Sequence, residues 1–254
     1  MRDEKPKLFL LLAEDPFYTP AYVRHLLQTF PGQITGAAFA SGFLSYKRIW
    51  RTLLIYGLWE FFRHGVIVTV TNLTGGRTHN LLKEHNVPIY EILSSSDPNL
   101  ATILKNQAPQ LIVSNNWPYR LKQNVLEIPS IAAINLHLGK LPAYRGVFPI
   151  FHALLRGEKE FGVTVHHMNE SFDDGLIINQ EAISIDAHDT LFSLYPKAFD
   201  CGTRLIGNAI EEISADNTTT APNGPEGKSY FSYPTIAEIA RYKRIMFRRW
   251  LRRI

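Results

Sequence analysis

The stretch of sequence that decides the fold is IAAINLHLGKLPAYRG, residues 131–146. Its first half is apolar, as a buried strand requires, and its second half carries Pro142 and Gly146 at the spacing of a turn. Asn135 and His137 stand two residues apart, so both side chains leave the same side of an extended backbone. The stretch therefore predicts a strand that brings an amide and an imidazole together at its carboxyl end.

The chain on the N-terminal side of this stretch alternates short apolar runs with helical periodicity. The predicted strands cover residues 7–12, 34–39, 66–71, 87–92, 110–114 and 131–135, and the helices between them include 20–29, 78–86 and 99–106. Apolar strands separated by helices are typical of an α/β, Rossmann-like fold, in which helices cover both faces of a mostly parallel twisted sheet. In such sheets ligands bind at the carboxyl ends of the strands.

The chain on the C-terminal side predicts a smaller addition to this sheet. Two runs at 161–169 and 176–185 indicate a small antiparallel extension, and residues 189–213 indicate a long helix. Residues 214–228 are polar and rich in turn formers, which predicts a linker or surface loop. We therefore expect a main domain at 1–213, with an aromatic-rich helical insertion at about 41–66, and a linker with a basic amphipathic tail at 214–254.

Composition excludes several classes of protein. The 254 residues are 45% apolar and 20% charged, which describes a globular chain that can bury a sizeable core. The single Cys201 excludes an internal disulfide and a cysteine-built zinc site, and a cytoplasmic location is the expectation. The apolar runs at 8–13 and 53–59 are too short for a signal core and for a membrane span, so neither is expected.

The positive charge is concentrated in the tail. The net charge is +4, but the last fourteen residues hold seven lysines and arginines and no acidic residue, so residues 1–240 carry −3. We therefore expect no nucleic-acid partner for this protein. Helical spacing puts Phe247, Trp250, Leu251 and Ile254 on one stripe among arginines. The stripe fits packing on the chain itself, a homodimer contact or an anionic membrane surface, and the sequence leaves these alternatives open.

A carboxylate follows the central stretch at a distance. The motif N-x-H at Asn135 and His137 is followed by L-P-x-[YW]-R-G at 141–146, by G-V-T-V-H at 162–166, and by D-x-G at Asp173. This order and spacing resemble the formyltransferases that use 10-formyltetrahydrofolate, a family that includes glycinamide ribonucleotide, methionyl-tRNA and sugar-nucleotide formyltransferases. The aspartate of the family corresponds to Asp173 rather than to its neighbour Asp174.

The resemblance implies a reaction and a set of catalytic residues. A formyl group would move from 10-formyltetrahydrofolate to a primary amine through a tetrahedral oxyanion, with Asn135, His137 and Asp173 as catalytic residues. The chemistry needs no metal, and none is expected. The adjacent residues His166 and His167 point to opposite faces of a predicted strand, so they cannot share one metal ion there.

The resemblance also implies where the two substrates bind. The family lines its pterin pocket with the loop that follows the preceding strand. That loop corresponds here to Asn116, Trp117, Pro118, Tyr119 and Leu121. Lys140 and Arg145 are candidates for contacts with an anionic acceptor, and Arg145 can instead brace its own loop.

Two features that the sequence lacks restrict the range of possible accepting amines. Residues 13–20, AEDPFYTP, hold two carboxylates and no glycine, where glycinamide ribonucleotide enzymes carry a glycine-rich phosphate loop. The residues that follow 213 are too few for the C-terminal barrel of methionyl-tRNA enzymes. The expectation is a small-molecule amine, with a nucleotide-linked amino sugar preferred. The alternatives are a 10-formyltetrahydrofolate hydrolase, transfer to a lipid-linked or hydrophobic amine, and a catalytically silent folate- or membrane-binding module.

Overall fold

A computed structural model describes residues 6–13, 15, 18–41, 46–57 and 78–251. In this part of the chain the strands are β1 (Leu8–Leu12), β2 (Ile34–Ala40), β3 (Ile89–Ile92), β4 (Leu111–Asn115), β5 (Ala132–His137), β6 (Arg145–Gly146), β7 (Glu160–His167), β8 (Ile177–Ser184) and β9 (Tyr230–Phe231). Seven of them form one sheet in the order β3-β2-β1-β4-β5-β7-β8, and β6 pairs with β9. The pairs from β3 to β5 are parallel, whereas β5–β7 and β7–β8 are antiparallel.

Helices cover both faces of the sheet. They are α1 (Thr19–Thr29), α2 (Tyr46–Tyr56), α3 (Thr78–Glu84), α4 (Pro98–Gln107), α5 (Gln123–Leu126), α6 (Pro149–Arg156), α7 (Leu191–Ser214) and α8 (Ile236–Leu251). Side chains of β1 alternate between two apolar clusters, because successive residues of a strand point to opposite faces. Leu10 belongs to one cluster, and its neighbours Phe9 and Leu11 belong to the other. The predicted parallel sheet with an antiparallel extension is therefore confirmed.

Helix α7 lies against the strand that ends in His137. Gly202 faces Leu136 of β5 so closely that a Cβ on the glycine would stand 2.9 Å from a Leu136 methyl carbon. A larger residue would push the helix away from the strand. The close approach supports the backbone of β5 next to the residues of interest.

Two predicted features lie partly or wholly outside the described residues. The strand expected at 66–71 is one of them, and so is most of the insertion expected at 41–66, of which the structure describes residue 41 and residues 46–57 with helix α2. The division of the chain at residue 213 stays a prediction. The segment beyond it was expected to be a linker or loop as far as residue 228, and it leads into β9 at Tyr230, a strand that the sequence analysis did not predict.

The basic tail forms helix α8, which packs on the body through Ile239 and Tyr242, each 4% exposed. Of the predicted stripe, Phe247 and Leu251 are 58% and 50% exposed, while the side chain of Trp250 and residue Ile254 lie outside the part of the chain that the structure describes. The homodimer and membrane alternatives for the stripe stay predictions. Among the described residues, no helix is long and apolar enough to span a bilayer.

Candidate active site

The antiparallel junction between β5 and β7 brings three polar side chains together. Asn135 and His137 end β5 on the same side, and the register places His166 of β7 directly opposite Asn135. The His166 Nδ1 lies 2.7 Å from the backbone oxygen of His167, so Nδ1 carries the hydrogen and donates it. The His166 Nε2 can then accept a hydrogen bond from the Asn135 Nδ2 at 3.2 Å. This bond fixes which way the Asn135 amide points.

Asp173 reaches the junction from the turn before β8. Its Oδ1 lies 3.4 Å from the His137 Nδ1 and 3.6 Å from the His166 Nε2, and its Oδ2 accepts the Gly146 N–H at 2.8 Å. Burial alone would raise the pKa of Asp173, but the charge of a protonated His137 ring, the nearby His166 ring and the Gly146 N–H together lower it well below its usual range. The carboxylate is therefore ionised at neutral pH.

His137 is held between two acceptors. Its Nε2 lies 2.8 Å from the Tyr144 carbonyl oxygen, which can only accept, so Nε2 carries a hydrogen. Burial lowers the pKa of His137 from its usual 6.5, while the Asp173 carboxylate opposes this effect without cancelling it. The ring is therefore neutral at pH 7, with the lone pair of Nδ1 facing the Asp173 carboxylate. A proton that arrives at Nδ1 would be stabilised by that carboxylate.

A cleft with about 380 Å³ of empty space, part of it open to solvent, lies beside this junction. Its lining comes from the ends of β4, β5 and β7 and from the loops that follow β4 and β7. The lining residues are Ser114, Trp117, Tyr119, Arg120, Leu121, Asn135, His166, Met168, Asn169, Glu170, Ser171, Phe172 and Asp173. The cleft thus joins the carboxyl ends of parallel strands, as expected for a ligand site in this class of sheet.

The cleft has the character needed for a flat heterocycle such as a pterin. Trp117, Leu121 and Met168 provide apolar walls. Two buried polar atoms, the Ser114 Oγ and the Trp117 Nε1, have no hydrogen-bond partner among the described residues. Unpartnered buried groups are costly in a folded protein, and they can be satisfied by a polar ligand.

The residues predicted for the pterin pocket divide into two groups. Trp117, Tyr119 and Leu121 line the cleft, whereas Asn116 and Pro118 are not among its lining residues. The Tyr119 hydroxyl lies 2.7 Å from the Ser41 carbonyl oxygen and 3.0 Å from that of Leu93, so it ties the loop to the ends of β2 and β3.

Lys140 and Arg145, the two candidates for acceptor binding, are both engaged in contacts within the protein. The Lys140 ammonium pairs with Glu160 on the surface. The Arg145 Nε donates to the Phe172 carbonyl oxygen at 3.1 Å, and its Nη1 lies 3.2 Å from the Asp174 carboxylate. Arg145 thus braces the turn that carries Asp173, whereas the alternative offered by the sequence was that Arg145 braces its own loop.

The part that His166 plays in this geometry is not visible in the sequence. There, His166 stands inside a motif and is a candidate only for metal binding beside His167. The antiparallel register decides its position opposite Asn135, and a register cannot be read from the separate strands. Within the described residues, no group of three or more side chains is arranged to hold a metal ion.

Comparisons with known proteins identify the family of the chain. Residues 72–210 match the model of the family described as Formyl transferase. Methionyl-tRNA formyltransferase from Kosmotoga olearia is 32% identical over 148 residues, which make up 58% of this chain and 48% of that protein. The chain thus spans about half the length of the curated relatives that it matches.

Solved structures share the fold at lower identity. An N-formyltransferase from Helicobacter canadensis, in complex with folinic acid and dTDP-3-aminofucose, has a TM-score of 0.61 at 19% identity, covering 95% of this chain and 80% of that one. A formyltetrahydrofolate deformylase from Pseudomonas syringae pv. tomato has a TM-score of 0.64 at 16% identity, covering 87% of this chain and 65% of that one. At such identities the likeness concerns the fold.

Proposed function

The chain belongs to the formyl transferase family, since the family match covers more than half of its 254 residues. From this premise we propose that it transfers the formyl group of 10-formyltetrahydrofolate to a primary amine of a small molecule. The observation that carries the proposal is the group formed by the buried His137 and the half-buried Asn135 and Asp173 beside a cleft with apolar walls. Such polar groups are costly to bury, and packing does not require them.

In the proposed reaction the acceptor nitrogen attacks the formyl carbon. The bond from that carbon to N10 of the folate then breaks, and the proton lost by the amine ends on N10. The tetrahedral intermediate carries a negative oxygen that needs fixed hydrogen-bond donors. The bond to His166 uses one hydrogen of the Asn135 amide, so the second hydrogen can donate to that oxygen.

His137 and Asp173 are the proposed route for the proton. The neutral His137 offers the lone pair of Nδ1, 3.4 Å from the Asp173 Oδ1. A proton taken from the amine would give an imidazolium that donates both to Asp173 and to the Tyr144 carbonyl oxygen. The same proton can pass on to N10 as the folate leaves. Asp173 lines the cleft directly, whereas His137 lies behind it.

For the acceptor we propose a nucleotide-linked amino sugar. The support is that the Helicobacter canadensis enzyme, whose fold this chain shares, was solved with dTDP-3-aminofucose. The curated relatives in sequence are instead named methionyl-tRNA formyltransferases. Both acceptors offer a primary amine, so both belong in the test. The cytoplasmic location expected from cysteine usage stays a prediction.

Hydrolysis of the donor is the second candidate, because the fold is also shared with a formyltetrahydrofolate deformylase. A hydrolase would use the same three residues with water in place of the amine. The two activities differ in whether an acceptor is required.

The experiment supplies 10-formyltetrahydrofolate alone, with dTDP-linked 3- and 4-amino sugars, and with methionyl-tRNA. Tetrahydrofolate release is read by absorbance, and the formylated product is read by mass. We expect release that depends on an amino sugar, with a product heavier by one formyl group in place of one hydrogen. Release of the same amount of tetrahydrofolate without any amine would establish the hydrolase activity instead. Formylation of methionyl-tRNA alone would contradict the proposed acceptor.

A further inference from the structure

Residues 221–231, called here the return segment, come back from the end of α7 and contact both loops beside the candidate active site. At its start, Ala221 exchanges two backbone hydrogen bonds with Ile177, the first residue of β8, at 2.8 and 2.9 Å. At its end, β9 pairs in parallel with β6. The return segment lies outside residues 72–210, the region that matches the family. Family membership therefore does not account for it.

The amide of Asn223 holds the turn that carries Asp173. The Asn223 side chain is buried, and its Nδ2 donates to the carbonyl oxygens of Asp173 and Gly175, both at 3.1 Å. These two bonds use both hydrogens of the amide nitrogen. Asp173 has a φ of 52°, in the left-handed region, which costs free energy for a residue other than glycine. The two bonds stabilise this turn from inside the protein.

The return segment also fixes the loop on the other side of the site. The Ser229 Oγ accepts the Tyr144 N–H at 2.9 Å, and the Ser229 carbonyl oxygen accepts the Arg145 N–H at 3.0 Å. Gly146 approaches β9 so closely that a Cβ on it would stand 2.2 Å from the Phe231 carbonyl oxygen. The backbone of this loop is therefore held along three consecutive residues.

Both held elements lead directly to the reacting groups. In the first loop, the Tyr144 carbonyl oxygen accepts from the His137 Nε2, and the Gly146 N–H donates to Asp173. In the turn held by Asn223, the Asp173 carboxylate faces the His137 Nδ1. The relative position of His137 and Asp173 thus depends on contacts made by residues far along the chain.

We propose that Asn223 is a positioning residue for the transfer: by holding the backbone of the Asp173 turn, its amide keeps the Asp173 carboxylate against His137. This inference rests on the proposed function, since that site is what the residue serves. The hydrogen bonds of Asn223 go to backbone oxygens. Its Oδ1 is buried without a partner among the described residues, so the donor side of the amide makes the interaction.

The test compares Asn223→Ala and Asn223→Ser with the full-length wild-type protein. The alanine removes both donors, and the serine hydroxyl can still donate to one of the two carbonyl oxygens. We expect kcat to fall by about tenfold to a hundredfold in the alanine variant, because a catalytic group displaced by about 1 Å can cost that much. The KM for 10-formyltetrahydrofolate should stay within about twofold, and the serine variant should be intermediate.

An NMR titration of His137 provides a readout that needs no substrate. The groups that set the charge state of His137 are Asp173 on its turn, His166 on β7 and Arg145 on β6. Asp173 raises the pKa of His137, so releasing the carboxylate should lower that pKa further in both variants, and more in the alanine variant. The resonance that a His137→Gln variant lacks identifies the signal.

The matched control is Asn179→Ala, which removes an amide bonded at 3.3 Å to the Glu212 carboxylate on α7. It should leave kcat and the His137 titration at their wild-type values. A titration of His137 that is unchanged in Asn223→Ser, or in a folded Asn223→Ala, would overturn the positioning role. So would a variant that loses thermal stability while kcat per folded molecule stays the same. If the wild-type protein shows no formyl transfer, the proposed function is contradicted. The positioning role of Asn223 is still tested, because the titration of His137 does not depend on turnover.

Discussion

Strands β1 and β5 belong to the same sheet, but of the two only β5 carries polar side chains, at its end. The five residues of β1, Leu8–Leu12, are apolar and fully buried between two parallel neighbours. Strand β5 has a parallel neighbour on one edge and an antiparallel one on the other, and it ends in Asn135 and the buried His137. Burial of apolar surface explains β1. It does not explain the end of β5, where each polar group needs a partner to offset its desolvation.

This difference indicates that the stability of the fold and the chemistry of the site depend on different residues in this molecule. Substitutions in β1 should change the free energy of unfolding and leave the reaction intact. Substitutions at the end of β5, and at the groups that face it, should do the reverse.

The largest expected effect is at Asp173. Asp173→Asn removes the negative charge that favours protonation of His137, and we expect kcat to fall by about 10²-fold to 10⁴-fold. The matched control is Asp174→Asn, because Asp174 pairs with Arg145 and Lys228 on the outer side of the same turn. Steady-state kinetics with the best acceptor check both. A larger loss at Asp174 would mean that the wrong aspartate has been assigned.

In β1, the substitution to compare with Asp173→Asn is Leu10→Ala. Leu10 is completely buried, so the substitution should lower the free energy of unfolding by about 2–5 kcal/mol. Urea denaturation measures this loss, and kcat per folded molecule should remain at the wild-type value. A fall in kcat that is independent of folding would show that the separation between the two strands does not hold.

The comparison of these two strands also shows which features of the structure could be predicted from the sequence. The apolar run of β1 and the N-x-H at the end of β5 were both visible as local patterns, as were the parallel sheet and the antiparallel pair. The position of His166 was not visible, because it follows from how β7 registers against β5. Nor was the contact of Asn223 with the Asp173 turn, which joins residues 50 positions apart.

The loop after β4 shows a second limit of the sequence. A run of five candidate residues was expected to line the pterin pocket, yet Asn116 and Pro118 are not among the cleft residues. Asn116 has a φ of 58°, so the chain turns sharply there. Local composition suggested the pocket, but the course of the backbone decides which side chains face it.

A smaller effect is expected at His166. His166→Ala removes the acceptor of the Asn135 N–H, so the amide is no longer oriented while all three proposed catalytic groups remain. The loss in kcat should be smaller than that of Asp173→Asn. His25→Ala, whose ring is within hydrogen-bond distance of Thr29 one turn along α1, serves as the control and should be neutral. A loss at His166 greater than at Asp173 would mean that His166 itself handles the proton.

The smallest effect is expected at Lys140, which belongs to the loop after β5 but pairs with Glu160 on the surface. An exposed ion pair contributes about 0–1 kcal/mol to stability. Lys140→Ala should therefore change the melting temperature little and leave KM for the acceptor near its wild-type value. A marked rise in that KM would instead support the anion-binding role that the sequence suggested for this residue.

The most direct test of the account measures His137→Gln and wild type side by side for formyl transfer, folate binding and thermal stability. Glutamine keeps an amide donor for the Tyr144 carbonyl oxygen but cannot take up a proton near neutral pH. The account predicts that transfer falls by about 10²-fold or more, while the Kd for 10-formyltetrahydrofolate and the melting temperature stay close to wild type. Transfer at the wild-type rate by the folded variant would contradict the claim that the end of β5 carries the chemistry.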